Sequence, residues 1–327
     1  MTLRSYAGSI VLGSALLFGF VTLAVAQEPS DERRPQIELS AGTWISVGDT
    51  RWAHNASSVP GLGNPTSKLI YKDVGTNVID LAGKFWISPK IFGKLNLGFA
   101  NIGGGRLTDD DYGSGQQLFS QTNSDINGNG MWYVNADLGG RVKEFPHNRG
   151  YLDVFGGYQY WHTEYQAVGV AQIACNPGVI PGFTCQPAGT SSNQGQTVIT
   201  NTTDWHSFRV GASSEYRLTR RFSLRGTVAF IPISLLDNKD IHHLRPDLKQ
   251  NPSFSMTGYG IGADADAGVR FMFTKNFAAD VGYRVYWNQV LSGNLTVHPV
   301  TGSTESFPLT QFQSLRHGLT AGLTLIF

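Results

Sequence analysis

Apolar and polar residues alternate along most of this chain, and a period of two is typical of β-strands with two different faces. In the first such segment, Gln36–Val47, mostly apolar residues occupy every second position from Ile37 onward. Clusters of Gly, Pro, Asn and Ser separate the segments from one another. The pattern therefore predicts an all-β fold made of one domain. The ten predicted strands are Gln36–Val47, Tyr71–Ile87, Ile91–Ile102, Gly130–Val142, Tyr151–Glu164, Asp204–Tyr216, Phe222–Pro232, Ser255–Phe273, Phe277–Val290 and Gln311–Phe327.

The predicted connections alternate between long and short along the chain. Short turns are expected at Ser88–Lys90, Glu144–Gly150, Leu218–Arg221 and Thr274–Lys275, whereas the longest expected loop is Tyr165–Thr203. Bacterial outer-membrane barrels combine an even number of strands with short periplasmic turns and longer extracellular loops. We therefore predict a ten-stranded antiparallel transmembrane β-barrel with long extracellular loops, located in the bacterial outer membrane.

The eighth predicted strand shows how the two faces of such a barrel differ. One face is almost entirely apolar, whereas the other carries Asp264, Asp266 and Arg270. Because charged side chains are costly in lipid, the polar face is expected to line the lumen. There these residues are expected to pair with Asp280 and Arg284 of the ninth strand, as part of the scaffold.

The composition agrees with an exported membrane protein. Charged residues are 15% and aromatic residues 12% of the chain, whereas soluble domains have about 25% charged residues. Ala7–Leu23 is mostly apolar, and the small residues Ala24–Ala26 follow it, which predicts a signal peptide at residues 1–26 and a barrel domain at residues 27–327. An uncleaved membrane anchor is the alternative. The net charge of +1 gives no reason to expect nucleic acid as a partner.

Two cysteines, Cys175 and Cys185, lie ten positions apart in the longest predicted loop. Exported proteins form disulfides, so a local loop disulfide is predicted. Two free thiols are the alternative.

Two acidic segments are candidates for chemistry. Thr108–Tyr112, with the sequence TDDDY, lies between the third and fourth strands, and Asp237–Leu248, with the sequence DNKDIHHLRPDL, lies between the seventh and eighth. In a ten-stranded barrel these connections are four strands apart, so they are expected to face each other across the rim. Residues two apart on extended backbone point the same way, which pairs Asp109 with Asp111, and likewise Asp240 with His242.

An Asp–Asp pair that faces an Asp–His pair can activate a water molecule. A carboxylate such as Asp240 can orient the imidazole of His242, which in its neutral form can accept a proton from water. Two neighbouring carboxylates repel each other, so one of them can have a raised pKa and keep a proton. The alternatives are a solvated acidic surface, a calcium site at Asp109–Asp111, or a metal site at His242 and His243.

The chain also resembles the omptin family of outer-membrane proteases along nearly its whole mature length. The segments that carry the resemblance are Ser67–Tyr112, Gly211–Pro232, Asp237–Leu248 and the C-terminal Ala321–Phe327. The resemblance implies a ten-stranded barrel that extends above the membrane. It also implies cleavage of peptide bonds by a water molecule held between an Asp pair and an Asp–His pair, without a cofactor for the chemistry.

The resemblance assigns a role to each residue of the two pairs. His242 would be the general base, and Asp240 would orient it. Asp109 would help to hold the water, whereas Asp111, if protonated, would stabilise the developing oxyanion. Asp110 is expected to point away from the site.

Two departures from the omptin pattern concern the substrate. Omptins prefer to cut next to basic residues and use acidic residues at positions that correspond here to Thr50 and Asn238. Asp49 and Asp237 lie one residue away, and a shift of one residue on a strand reverses the direction of the side chain. The sequence therefore gives little reason to expect specificity for Arg or Lys.

Omptins also need lipopolysaccharide, which basic residues bind on the outside of the barrel. Tyr158 matches one member of that set, whereas Tyr160 and His162 stand where an acid and an Arg are expected. Lipopolysaccharide is thus a possible activator that would contact Tyr158.

The sequence leaves two functions open. The first is an endopeptidase whose site faces the extracellular side and acts on polypeptide substrates at the cell surface. The second is a non-catalytic barrel in outer-membrane lipid that serves as an adhesin or a narrow pore. The oligomeric state cannot be predicted from these features.

Overall fold

The computed structural model describes residues 36–327, so the predicted signal peptide at residues 1–26 lies outside the described part. Two short 3-10 turns occur, and no helix within residues 36–327 is long and apolar enough to cross a membrane. The remaining elements are strands. They are β1 (Ile37–His54), β2 (Leu62–Trp86), β3 (Ile91–Gly113), β4 (Gln117–Phe145), β5 (Gly150–Cys175), β6 (Ser191–Arg217), β7 (Phe222–His242), β8 (Phe254–Thr274), β9 (Phe277–Val297) and β10 (Glu305–Ile326).

The ten strands of the described region form a closed antiparallel barrel. Each strand pairs with its neighbours in sequence, and β1 also pairs with β10, for example at Gly42 and Gly322. Closure leaves no strand edge unpaired, which is what a lipid environment demands. In this order β3 and β7 are separated by three strands on one side and five on the other, so they form opposite walls.

The prediction of long loops was wrong, because most of those residues continue the strands. The segment expected to be a loop between the third and fourth strands is largely strand, and β3 reaches Gly113 before β4 begins at Gln117. Likewise β7 continues to His242, so Asp237–His242 is strand rather than loop. Where the barrel extends beyond the lipid, its outer face contacts water, so polar residues can occupy both faces of a strand. The alternation of apolar and polar residues that predicts a strand is then lost.

Large apolar side chains cover the outer surface at the end of the barrel that carries the short turns. Ile45 and Ile79, for example, are 60% and 63% exposed. So wide an exposed apolar surface is unfavourable in water and suits lipid hydrocarbon. Toward the opposite end, which we call the site end, exposed side chains become polar, as at Asp237 and Lys239. The membrane-spanning part is therefore the half with the short turns.

Ion pairs fill the lumen within the membrane-spanning part. Arg270 pairs with Asp280 at 2.9 Å, and Arg284 pairs with Asp266 at 3.0 Å. The predicted pairing between β8 and β9 is thus confirmed, whereas Asp264 instead lies 3.4 Å from Arg209 of β6. A cavity of about 220 Å³ lies among these side chains.

Aromatic side chains fill the lumen nearer to the site end. The ring of Trp161 stacks between Tyr133 and Tyr286, with centroid distances of 4.9 and 4.0 Å. Above them Tyr71 and Tyr165 pack at 5.2 Å, and both are buried. This packed layer forms the floor beneath the candidate site.

The predicted disulfide between Cys175 and Cys185 is confirmed. It joins the end of β5 to Cys185, which lies within residues 176–190, the longest of the described connections between strands. The Asn176 backbone N–H donates to the Phe119 carbonyl at 2.8 Å, and Ile180 is buried. Val179 packs so tightly on Gly113 that an added Cβ there would lie 2.5 Å from its side chain. The loop therefore supports the ends of β3 and β4.

Candidate functional site

One wall of the candidate site is the last part of β7. Leu236, Asn238 and Asp240 are buried in the lumen, whereas the residues between them are exposed on the outside. This alternation brings Asp240 and His242 together, with Nε2 of His242 3.2 Å from Oδ2 of Asp240. Phe254 of β8 packs edge-on against the imidazole at 4.9 Å. Asp240 is fully buried and His242 is partly accessible, so the pair is held in place with its imidazole toward the open end of the barrel.

The opposite wall is the last part of β3. Asp109 and Asp111 are half-buried, and they follow the buried Leu107 by two and four residues, so both face the lumen as predicted. Ser67 of β2 donates its hydroxyl to Oδ1 of Asp109 at 3.4 Å. Asp110 points the other way, as predicted: it accepts from Gln121 at 2.8 Å and from the hydroxyl of Tyr112 at 3.3 Å.

The two walls act on each other electrostatically. Burial, and then repulsion from Asp111, raise the pKa of Asp109 well above its ordinary value, although the charge of His242 opposes this. Burial also raises the pKa of Asp111, against the opposing effects of Ser67, His242 and Arg245. A carboxyl pair with raised pKa values keeps a proton at higher pH than isolated carboxyls do.

The pKa of His242 is also raised above its ordinary value. Burial alone would lower it, but the hydrogen bond and charge of Asp240 and the charges of Asp109 and Asp111 raise it above 6.5. His54 of β1 behaves in the opposite way, because burial and the charge of His242 lower its pKa to about 4. At neutral pH His54 is therefore uncharged beside the site.

Several buried polar atoms in this region have no hydrogen-bond partner among the described residues. They include Oδ1 of Asp240, the hydroxyl of Tyr71, Nδ1 of His54 and Nε1 of Trp52, whose ring lies 6.1 Å from that of His54. Tyr71 and His54 were not predicted as site residues, since an aromatic residue in an alternating strand is normally part of the core. Their inward direction was predictable from the period of two, but their approach to β7 depends on the closed barrel.

The positions expected to bind substrate charge are neutral and face the lumen. Thr50 and Asn238 are buried, and Thr50 lies 3.4 Å from the hydroxyl of Tyr165. Asp237 is exposed on the outer face, and Asp49 accepts from the backbone of Asp73 at 2.9 Å. The prediction that the side chains of Asp49 and Asp237 point in the opposite direction to those of Thr50 and Asn238 is therefore confirmed.

Tyr158 lies on the outer surface of β5, at 46% exposure. Its hydroxyl is hydrogen-bonded to Nδ1 of His206 at 2.6 Å. Tyr160 and His162 share the carboxylate of Asp204. The contact of Tyr158 with lipopolysaccharide stays a prediction.

Within residues 36–327, no group of three or more His, Cys, Asp or Glu side chains is arranged to hold a metal ion. His243 is exposed and bonds to Thr200 at 2.9 Å, whereas His242 faces the lumen. The two adjacent histidines therefore point to different places.

Solved structures resemble the barrel. The outer membrane protease OmpT from Escherichia coli matches 89% of this chain and 96% of its own, with a TM-score of 0.69 and 17% identity. At this identity the likeness establishes the fold alone. The translocator domain of the autotransporter NalP from Neisseria meningitidis covers 91% of this chain and 90% of its own, with a TM-score of 0.37 and 9% identity. That likeness is too weak to carry an argument.

Sequence comparison identifies the family. No curated protein matches the chain. Residues 47–315 match the family described as Pom, Protochlamydia outer membrane protein, and this outer-membrane β-barrel therefore belongs to the Pom family.

Proposed function

We propose that this protein is an outer-membrane endopeptidase of the omptin type. The observation that carries the proposal is the buried Asp240–His242 pair, at 3.2 Å, whose electrostatic partners are Asp109 and Asp111 of the opposite wall. A carboxylate-oriented imidazole opposite a protonated carboxyl pair supplies the base and the acid that amide hydrolysis requires.

His242 acts as the general base in this proposal. Its Nε2–H donates to Asp240, which leaves the lone pair of Nδ1 to accept a proton from water. The water oxygen then attacks the carbonyl carbon of the peptide bond, and the positive charge that forms on the imidazole is stabilised by Asp240.

Asp109 and Asp111 act on the other side of the attacked bond. Asp109 helps to hold the water, and the proton retained by the pair lets Asp111 donate to the oxyanion of the tetrahedral intermediate. The intermediate collapses when the C–N bond breaks and His242 returns its proton to the leaving amine. The products are a carboxylic acid and an amine, and no cofactor takes part.

The contents of the lumen disfavour the alternative of a narrow pore. Ion pairs occupy the membrane-spanning part, and the stacked rings of Tyr133, Trp161 and Tyr286 lie above them. Ten strands enclose a lumen only slightly wider than the eight-stranded barrels that side chains fill. An adhesin has no specific observation in its favour.

We also propose that the site end faces the extracellular side, where polypeptides at the cell surface are the substrates. The site end lies beyond the apolar band and carries residues 176–190, the longest connection between strands within residues 36–327. In outer-membrane barrels the longer connections are extracellular.

The test is a digest of a peptide library by refolded protein, with and without added lipopolysaccharide. The wild type is compared with His242→Ala and with His243→Ala, which alters the exposed neighbour. We expect His242→Ala to lower kcat by about 100-fold or more, and His243→Ala to leave it close to wild type. Equal cleavage by wild type and His242→Ala would reject the proposed chemistry.

A further inference from the structure

Tyr71 of β2 and Asp240 of β7 come from opposite walls and are both fully buried. The Tyr71 hydroxyl has no acceptor among the described residues, and Oδ1 of Asp240 has no donor. Buried polar groups in native proteins are almost always paired, because leaving them unpaired is costly. A donor without an acceptor and an acceptor without a donor thus lie in the same layer of the lumen.

The electrostatics support a connection between these two groups. After burial, the charges that raise the pKa of Tyr71 are those of Asp240, then Asp109 and Tyr165, with Asp240 the strongest. The phenol therefore stays protonated across the physiological range and remains a hydrogen-bond donor. Tyr165 packs on its ring at 5.2 Å and restricts its direction.

We propose that Tyr71 is a positioning residue whose hydroxyl is linked to Oδ1 of Asp240 by hydrogen bonds through one bridging water. The other oxygen, Oδ2, already contacts Nε2 of His242. Fixing both oxygens prevents rotation of the carboxylate and holds the imidazole in one orientation. The catalytic part of this inference rests on the proposed function, whereas the hydrogen-bonded link does not.

The link has a measurable consequence at His242. A hydrogen bond to a carboxylate withdraws negative charge from it, so the carboxylate stabilises the imidazolium less. Loss of the Tyr71 hydroxyl should therefore raise the pKa of His242 further. The other charged and titratable groups that act in this layer are unchanged by the substitution. They are Asp109 and Asp111 of β3, His54 of β1, Tyr165 of β5, and Arg245, which follows β7.

The experiment is an NMR titration of isotope-labelled histidine in the full-length protein, with the His242 signal assigned by its loss in His242→Ala. Tyr71→Phe removes one oxygen and keeps the ring. We expect it to shift the His242 titration upward by about half a pH unit or more. Tyr165→Phe, which removes the neighbouring hydroxyl, is the matched control and should give a much smaller shift. In an Asp240→Asn background, Tyr71→Phe should produce no further change.

Kinetics separate this inference from the proposed function. If wild type cleaves peptides and His242→Ala does not, Tyr71→Phe should lower kcat about tenfold with little change in KM, and should move the acid limb of the pH profile upward. Coincident titrations of wild type and Tyr71→Phe would overturn the link while leaving the proposed protease intact. Equal cleavage by wild type and His242→Ala would overturn the protease and the catalytic role of Tyr71, and the NMR titration would still decide the link.

Discussion

Asn201 of β6 and Asn238 of β7 exchange two side-chain hydrogen bonds, at 3.3 and 3.0 Å, directly beside Asp240. Both amides are fully buried, and Asn238 also donates to Thr203 at 2.8 Å. The floor next to the Asp–His pair is therefore neutral, in contrast to the carboxylates that line the site above it.

This neutral layer predicts weak selection for basic residues at the cleaved bond. Asn238→Asp would place a carboxylate in the lumen, and a hydrogen bond to a charged group is worth about 1.5–3 kcal/mol. We expect the ratio of kcat/KM for Arg over Ala peptides to rise about tenfold. The control is Asp237→Asn, which changes an exposed carboxylate one residue away and should leave the ratio unaltered. A wild type that already cuts chiefly beside Arg or Lys would contradict the prediction.

Activity should depend on pH in a bell-shaped manner. His242 must be neutral to accept a proton, and its pKa is raised above 6.5, so activity should rise with pH through a limb above that value. The pKa values of Asp109 and Asp111 are also raised, and loss of their retained proton should lower activity again at higher pH. The profile of kcat/KM against pH measures both limbs. An acid limb below pH 6 would contradict the role of His242.

The three consecutive aspartates should differ sharply in their contributions. Asp109→Asn and Asp111→Asn alter the lumen-facing pair and are expected to lower kcat by about 100-fold. Asp110→Asn changes a side chain that bonds to Gln121 and Tyr112 on the other face, so its kcat should stay near wild type. Comparable losses in all three variants would show that the segment acts through folding and not through a directed pair.

Loss of the disulfide should loosen the rim beside Asp111. Replacing Cys175 and Cys185 by Ser opens a loop with a sequence separation of 10, which costs about 2–3 kcal/mol in the chain-entropy description. Limited proteolysis should then cut within residues 176–190 faster than in the oxidised wild type. The same cleavage rate in both proteins would mean that Ile180 and the backbone hydrogen bonds hold the loop without the cross-link.

Removal of Arg270 should destabilise the membrane-spanning part. This buried guanidinium pairs with Asp280, Glu38 and Glu215, at 2.9, 3.4 and 3.4 Å. Arg270→Leu removes this pairing from all three carboxylates, although Arg225 still lies 2.9 Å from Asp280 and 3.6 Å from Glu215. Breaking a buried ion pair costs about 3–5 kcal/mol. Urea unfolding in micelles measures the change, with Arg220→Ala in an exposed turn as the control. A midpoint equal to that of the control would contradict the prediction.

The period-two pattern predicted much of the fold and the directions of the site residues. The ten strands, the short turns and the inward pairs on β3 and β7 follow from counting alternating segments, because side-chain direction on a strand depends only on parity. The extent of the strands could not be predicted in the same way. From Gly103 to Asn129 the residues are rich in Gly, Asn, Ser and Asp, a composition typical of loops in proteins without lipid contact.

The residues that approach each other across the lumen could not be predicted from the sequence either. Tyr71 and Asp240 are far apart in the chain, and their approach depends on the circumference of the barrel and the tilt of its strands. Neither quantity is encoded in local alternation. That the Tyr71 hydroxyl and Oδ1 of Asp240 lack hydrogen-bond partners is evident only from the burial and hydrogen bonding of all the neighbouring strands.

The two walls of the site lie on β3 and β7, and they come face to face only when β1 and β10 have sealed the cylinder. On the proposed function, a chain still in transit through the periplasm carries the four catalytic side chains but cannot assemble them into a working centre. Insertion into the membrane would thus serve as the activation step. No removable inhibitory segment would be needed to protect the cell from its own protease.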